Sequence, residues 1–164
     1  MRSAAVKGLI IDLRNNSGGL LQESIAVASQ FVDGKVIVYE RTYQDERAVN
    51  AENGGLATDL PLIVLVNQNT ASAAELVAGA IQDHGRGILV GQVTYGKGSV
   101  QQIFRLSDDS SIHITSAEWL TPKRNHLDGV GLQPDITMIP DPNGRDVEIG
   151  EAIRALENTL RTGA

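Results

Sequence analysis

Two hydrophobic rhythms alternate along this chain. VKGLIIDLR (6–14) is an apolar run of strand length, β-branched at its centre and closed by the turn-forming NNSGG (15–19). LLQESIAVASQFV (20–32) changes period: Leu21, Ile25, Ala28 and Phe31 recur at helical spacing. A strand is predicted over 36–43, and the polar segment 44–60, with its glycine pair, reads as an exposed loop. LPLIVLVN (60–67) is apolar without alternation, as a strand covered on both faces must be. SAAELVAGAIQDH (72–84) predicts a small-residue helix, GRGILVGQV (85–93) a third buried strand, and TYGKGS (94–99) a glycine-rich turn. VQQIFRL and SIHITSAEWL pair as a hairpin across SDDS (107–110). A loop with Pro122, Gly129, Gly131 and Pro134 follows, and an amphipathic helix is predicted over 146–160.

Strand–helix alternation followed by a strand-rich half predicts an α/β domain whose central parallel strands are 6–14, 60–67 and 87–93. Ligands gather at the carboxyl ends of such strands, where NNSGG, QNTAS and TYGKGS all lie.

Composition narrows the function. A chain of 164 residues fits one compact domain able to bury roughly 70% of its unfolded surface. Twenty acidic against fourteen basic side chains, net −6, argue against nucleic-acid binding. No apolar run approaches the roughly 20 residues of a membrane span. The absence of cysteine excludes disulfides and thiolate-ligated metals. No signal peptide is visible. Met1 stands almost directly before a strand, so the chain reads as part of a longer polypeptide.

Three turns carry the candidate chemistry. Ser72 opens a helix beside free N–H groups, the setting of many nucleophilic serines. The same residues, Ser72-Ala73-Ala74-Glu75, match a capping box, the commoner use of such a serine. Gly18 and Gly19 could present N–H groups to a ligand, or simply form a tight turn. Lys97 stands between Gly96 and Gly98; GQVTYGK (91–97) suggests a phosphate loop but fails at Gly98, where Ser or Thr is required. Taken alone, Lys97 is an ordinary turn lysine. His84, His113 and His126 offer no helical i, i+4 pair for zinc and no Ser–His–Asp pattern, so a serine nucleophile here needs another base. A lysine serves if it is neutral when it takes the proton, which burial favours.

Together KGLIIDLRNNSGG (7–19), the stretch 62–101, TSAEWLTP (115–122) and DGVGLQPDI (128–136) resemble the catalytic domain of the C-terminal processing peptidases, or tail-specific proteases. The resemblance implies a crotonase/ClpP-like α/β core, with a mostly parallel sheet flanked by helices and a β-hairpin extension. It implies a serine endopeptidase with Ser72 as nucleophile, Lys97 as general base and Gln101 orienting the lysine. The backbone N–H groups of Gly18 and Ala73 would form the oxyanion hole; the role of Asp83 stays open. Ser17 stands where the family usually has Pro, and Ala74 where it often has Ser.

Further expectations follow from the resemblance. No cofactor or metal is needed. Partners would be proteins with exposed C-terminal tails, and the compartment extracytoplasmic: periplasm, cell envelope or organelle lumen. Residues 1–164 form a single domain, with the PDZ domain and upstream region of the family outside it. An exposed sheet edge would allow homo-oligomers. The alternatives are a retinoid-like ligand-binding module of the same fold and an inactive fragment.

Overall fold

The computed structural model describes residues 6–162. The chain runs β1 (Leu9–Asp12), α1 (Leu21–Ala28), β2 (Val36–Arg41), β3 (Glu46–Asn50), β4 (Leu62–Val66), α2 (Ala73–Asp83), β5 (Ile88–Gly91), β6 (Ser99–Arg105), β7 (Ser111–Leu120), β8 (Ile136–Thr137) and α3 (Val147–Thr162). Two four-stranded sheets result, a parallel one in the order β1-β4-β5-β8 and an antiparallel one in the order β3-β2-β7-β6.

The unbroken apolar run of β4 is explained by its two coats. Leu62, Val64 and Val66 pack into a core with Ile25 and Ala28 of α1 and Leu76, Val77, Ala80 and Ile81 of α2. Ile63 and Leu65 face the other way, against Ala152 and Ala155 of α3. Covering both faces of a parallel sheet by helices is what demands a strand without polar positions.

Two expectations need correction. The segment 44–60 is not simply an exposed loop: Glu46–Asn50 forms β3, paired antiparallel with β2, and Ala51 and Ala57 are buried. Its polar composition is met by ion pairs instead of solvent alone, for Arg41 and Arg124 both bond Glu46, and Arg47 bonds Glu40. The short strand β8, beyond the predicted loop, completes the parallel sheet. The hairpin forms as expected, but its second strand also pairs with β2, so it belongs to a sheet of its own.

Candidate active site

The three turns at the carboxyl ends of β1, β4 and β5 are laced together by backbone and amide hydrogen bonds. Asn15 N–H donates to Asn67 Oδ1 (3.0 Å), Ala71 N–H to Asn16 O (2.9 Å), and Tyr95 N–H to Thr70 O (2.9 Å). The Thr70 hydroxyl donates to Leu13 O (2.8 Å). Turns distant in sequence thus become one surface.

Ser72 sits at the N-terminus of α2 with φ 54° and ψ −125°. A non-glycine residue there is strained by about 1–3 kcal/mol, a cost found mostly where surrounding structure enforces it at functional sites. The expected capping box is present: Ser72 N–H donates to Glu75 Oε2 (2.8 Å), and the Ser72 side chain faces the Glu75 N–H, although it makes no full cap hydrogen bond. Gly18 packs directly on the Ser72 turn. A Cβ at Gly18 would lie 2.8 Å from both Ala71 O and Ser72 Cβ and 3.0 Å from Ala73 N, and Gly18 has φ 102°. Both demands call for glycine. The Gly18 N–H donates to Asn16 Oδ1 (2.9 Å) in this state.

Glu75 is the residue whose weight the sequence pattern understated. It is fully buried, at 0% exposure, yet pairs with no cationic side chain among the described residues. Its Oε2 accepts from Ser72 N–H (2.8 Å) and Lys97 N–H (2.9 Å); its Oε1 accepts from Gly96 N–H (2.8 Å) and from the Thr94 hydroxyl. A buried carboxylate is tolerable only when its lone pairs are this well satisfied, with the positive end of α2 adding to them. The consequence is geometric: the backbones of Ser72 and Lys97, 25 positions apart in sequence, are bound to one oxygen atom. The signal in the sequence was the acidic residue three positions past a serine, which the capping box accounts for too cheaply.

The side chains of Lys97 and Gln101 are exposed, and no hydrogen bond joins either of them to Ser72 among the described residues. The dry surroundings expected for the lysine are thus absent from the chain as described, because the Lys97 turn lies on the surface. Gln101 lies just past a bulge between Val100 and Gln101 in β6, an irregularity that re-aims side chains along the strand. Asp83 has a structural partner: its Oδ2 accepts from Lys123 N–H (2.8 Å), tying the end of α2 to the loop after β7.

Beside Ser72 a cleft of about 200 Å³ opens between α1 and α2. Its walls include Leu13, Leu20, Val27, Ala74 and Val77, with Gly18 and Ala73 at the Ser72 end. Ala74, one of the two departures from the family pattern, is thus part of a cleft wall. A larger cleft of about 680 Å³ lies at the opposite, amino end of the parallel sheet, where Leu62 and Ile88 begin their strands, and is remote from Ser72. Among the described residues no His, Asp and Glu cluster is suited to hold a metal ion, and no helix is long and apolar enough to cross a membrane.

Behind the site, Arg14 joins β1 to the start of α3, donating to Asp12 and, through both terminal nitrogens, to Asp146 (2.7 and 2.8 Å). The hydrogen bonds from Arg14 hold the Asp146 carboxyl down at about 2 and lower that of Asp12. The paired carboxylates in turn raise the guanidinium.

Comparison with known proteins agrees with this architecture. The chain is 48% identical over 128 residues to a carboxyl-terminal-processing protease of Synechocystis sp., covering 78% of this chain and 30% of that protein. It is 43% identical over 138 residues to the chloroplastic carboxyl-terminal-processing peptidase 3 of Arabidopsis thaliana, covering 83% and 27%. Among solved structures, the photosystem II D1 C-terminal processing protease superimposes with a TM-score of 0.77 at 37% identity, covering 92% of this chain and 39% of that one. The chain thus spans about a third of the length of the curated relatives it matches. The sequence profile of peptidase family S41 matches residues 1–138, and the chain belongs to that family.

Proposed function

We propose that this chain carries the catalytic centre of a serine endopeptidase that cleaves proteins near their carboxyl termini, with Ser72 as nucleophile and Lys97 as general base. The observation that supports this most is the shared carboxylate oxygen of Glu75, which accepts from the backbones of both residues.

In the reaction, Ser72 Oγ attacks the scissile carbonyl carbon while the neutral Lys97 amine takes its proton. The carbonyl π pair moves to oxygen, and the oxyanion is met by the N–H groups of Gly18 and Ala73. Gly18 N–H must first leave Asn16 Oδ1, a short side-chain rotation. Collapse of the tetrahedral adduct expels the amine, which receives the proton from Lys97. Water then attacks the acyl-enzyme by the same steps and frees Ser72. Each oxyanion donor contributes about 3–4 kcal/mol in comparable sites. Lys97 is exposed before substrate arrives, and a polypeptide laid over the turn would exclude water from it. Gln101 orients the lysine. The cleft beside Gly18 and Ala73 suits a mainly apolar side chain next to the scissile bond, since Leu13, Leu20, Val27 and Val77 line it together with Asn16, Glu23 and Ser24. The relatives named chloroplastic fit a reading in which such proteins work outside the cytoplasm.

The test is fluorophosphonate labelling together with peptide cleavage by the full-length protein. Ser72→Ala and Lys97→Ala should each abolish both, and Gln101→Ala should reduce them less. Near-normal turnover by Lys97→Ala would refute the assigned base. Retinol fluorescence enhancement with no labelling would favour the ligand-binding alternative instead.

A further inference from the structure

The geometry points to Asp128 as a positioning residue for Lys97: its carboxylate holds the turn that aims the proposed base. This rests on the reading of Lys97 given above. Lys97 is the only residue with a side chain in Gly96-Lys97-Gly98. The direction in which its side chain leaves the turn is therefore set by the backbone of those three residues.

That backbone is gripped from two sides. From below, Glu75 accepts from the N–H groups of Gly96 and Lys97. From the flank, the loop after β7 clips both neighbours of Lys97. Gly129 N–H donates to Gly96 O (2.9 Å), and Asp128 Oδ1 accepts from Gly98 N–H (3.0 Å). Trp119 N–H completes the grip by donating to Gly98 O (2.6 Å). The loop itself is anchored. Leu127 is 1% exposed and shares the main core with Leu132, and Leu127 O accepts from the N–H groups of Val130 and Gly131.

Contact between loop and turn is backbone on backbone. A Cβ at Gly98 would stand 2.6 Å from Asp128 N and 2.9 Å from Leu127 Cβ; one at Gly96 would stand 2.7 Å from Gly131 N. Two glycines bracket Lys97 because the loop presses on both sides of it. Within this flank the bond from Asp128 is the one made by a side chain. It can be removed without altering the main chain. A carboxylate suits the task because a charge-assisted bond to N–H is about twice as strong as a neutral one.

Asp128 does not touch substrate in this role, so its removal should act on the chemical step and spare binding. In the full-length protein, Asp128→Ala is expected to lower kcat at least about tenfold with KM within about twofold, and to slow fluorophosphonate labelling of Ser72 by the same factor; misplacement of a catalytic group by about 1 Å costs on the order of a hundredfold. Asp128→Asn keeps an oxygen acceptor and is expected to recover activity to within about threefold of the wild type. Should Asp128→Ala fail to fold, Asp128→Glu takes its place, since the extra methylene displaces the acceptor and predicts the same loss. A kcat within about twofold of wild type for the alanine or glutamate variant overturns the assignment, as does an asparagine variant no better than alanine. Ser72→Ala serves as the reference. If it still cleaves, the peptidase reading itself is wrong. If it is inactive while Asp128→Ala is normal, only the positioning role falls.

Discussion

Glu75→Gln isolates what the buried carboxylate does. The change keeps shape and volume but replaces one acceptor oxygen by an NH2 group. The wild-type carboxylate accepts from Ser72 N–H, Lys97 N–H, Gly96 N–H and the Thr94 hydroxyl. Glutamine can serve one pair of these donors through its remaining oxygen; the other pair then meets an NH2 that also donates. Hydrogen bonds to a charged group contribute about 1.5–3 kcal/mol each, so losing two costs about 3–6 kcal/mol. That is a large fraction of the roughly 5–15 kcal/mol by which a domain is stable. The thermal midpoint should fall on the order of 10 °C or more. Turned with its oxygen in place of Oε1, the amide frees the N–H groups of both Ser72 and Lys97, so Ser72 should also lose reactivity toward fluorophosphonate in whatever fraction remains folded; turned the other way it keeps both and frees Gly96 and Thr94. Urea denaturation with an unchanged m-value, read beside labelling rate below the transition, separates the two effects. A variant within about 1 kcal/mol of wild type that labels at the normal rate would show that one oxygen at this position suffices for both turns, and the weight placed on the buried carboxylate would fall.

Two other perturbations test neighbouring parts. Gly18→Ala puts a methyl 2.8 Å from Ala71 O and Ser72 Cβ at φ 102°, so peptide hydrolysis should drop by about two orders of magnitude or more with a smaller loss of stability; unchanged turnover would remove Gly18 from the oxyanion hole. The Arg14 cluster predicts a modest acid limb. Asp146 has a carboxyl held at about 2, below its unfolded 3.8, so its contribution is present above about pH 4 and is lost as pH falls toward 2. Asp146→Asn should flatten the decline of thermal midpoint across that window. Because Asp146 is nearly half exposed, the effect is small, and an equal slope in both proteins would assign the acid limb elsewhere.

Much of this molecule is written locally. A run such as LIVLV, short, β-branched and without polar positions, points to a strand buried on both faces, and the small-residue helix after Ser72 follows from its periodicity, because apolar burial is counted residue by residue along an element. The turns after β1, β4 and β5 were legible for the same reason; the roles of Ser72, Lys97 and Gly18 come from the family resemblance and stand as proposals. Partnership was not legible. The strand Glu46–Asn50 looks like a polar loop until β2 lies beside it, since an edge strand carrying arginine and glutamate has no apolar rhythm to betray it. Glu75 reads as a helix cap until folding brings Lys97 N–H to it and Gly98 N–H to Asp128. Hydrogen bonds between segments that are far apart in sequence have no periodicity, so only the closed tertiary structure decides which carboxylate holds which turn.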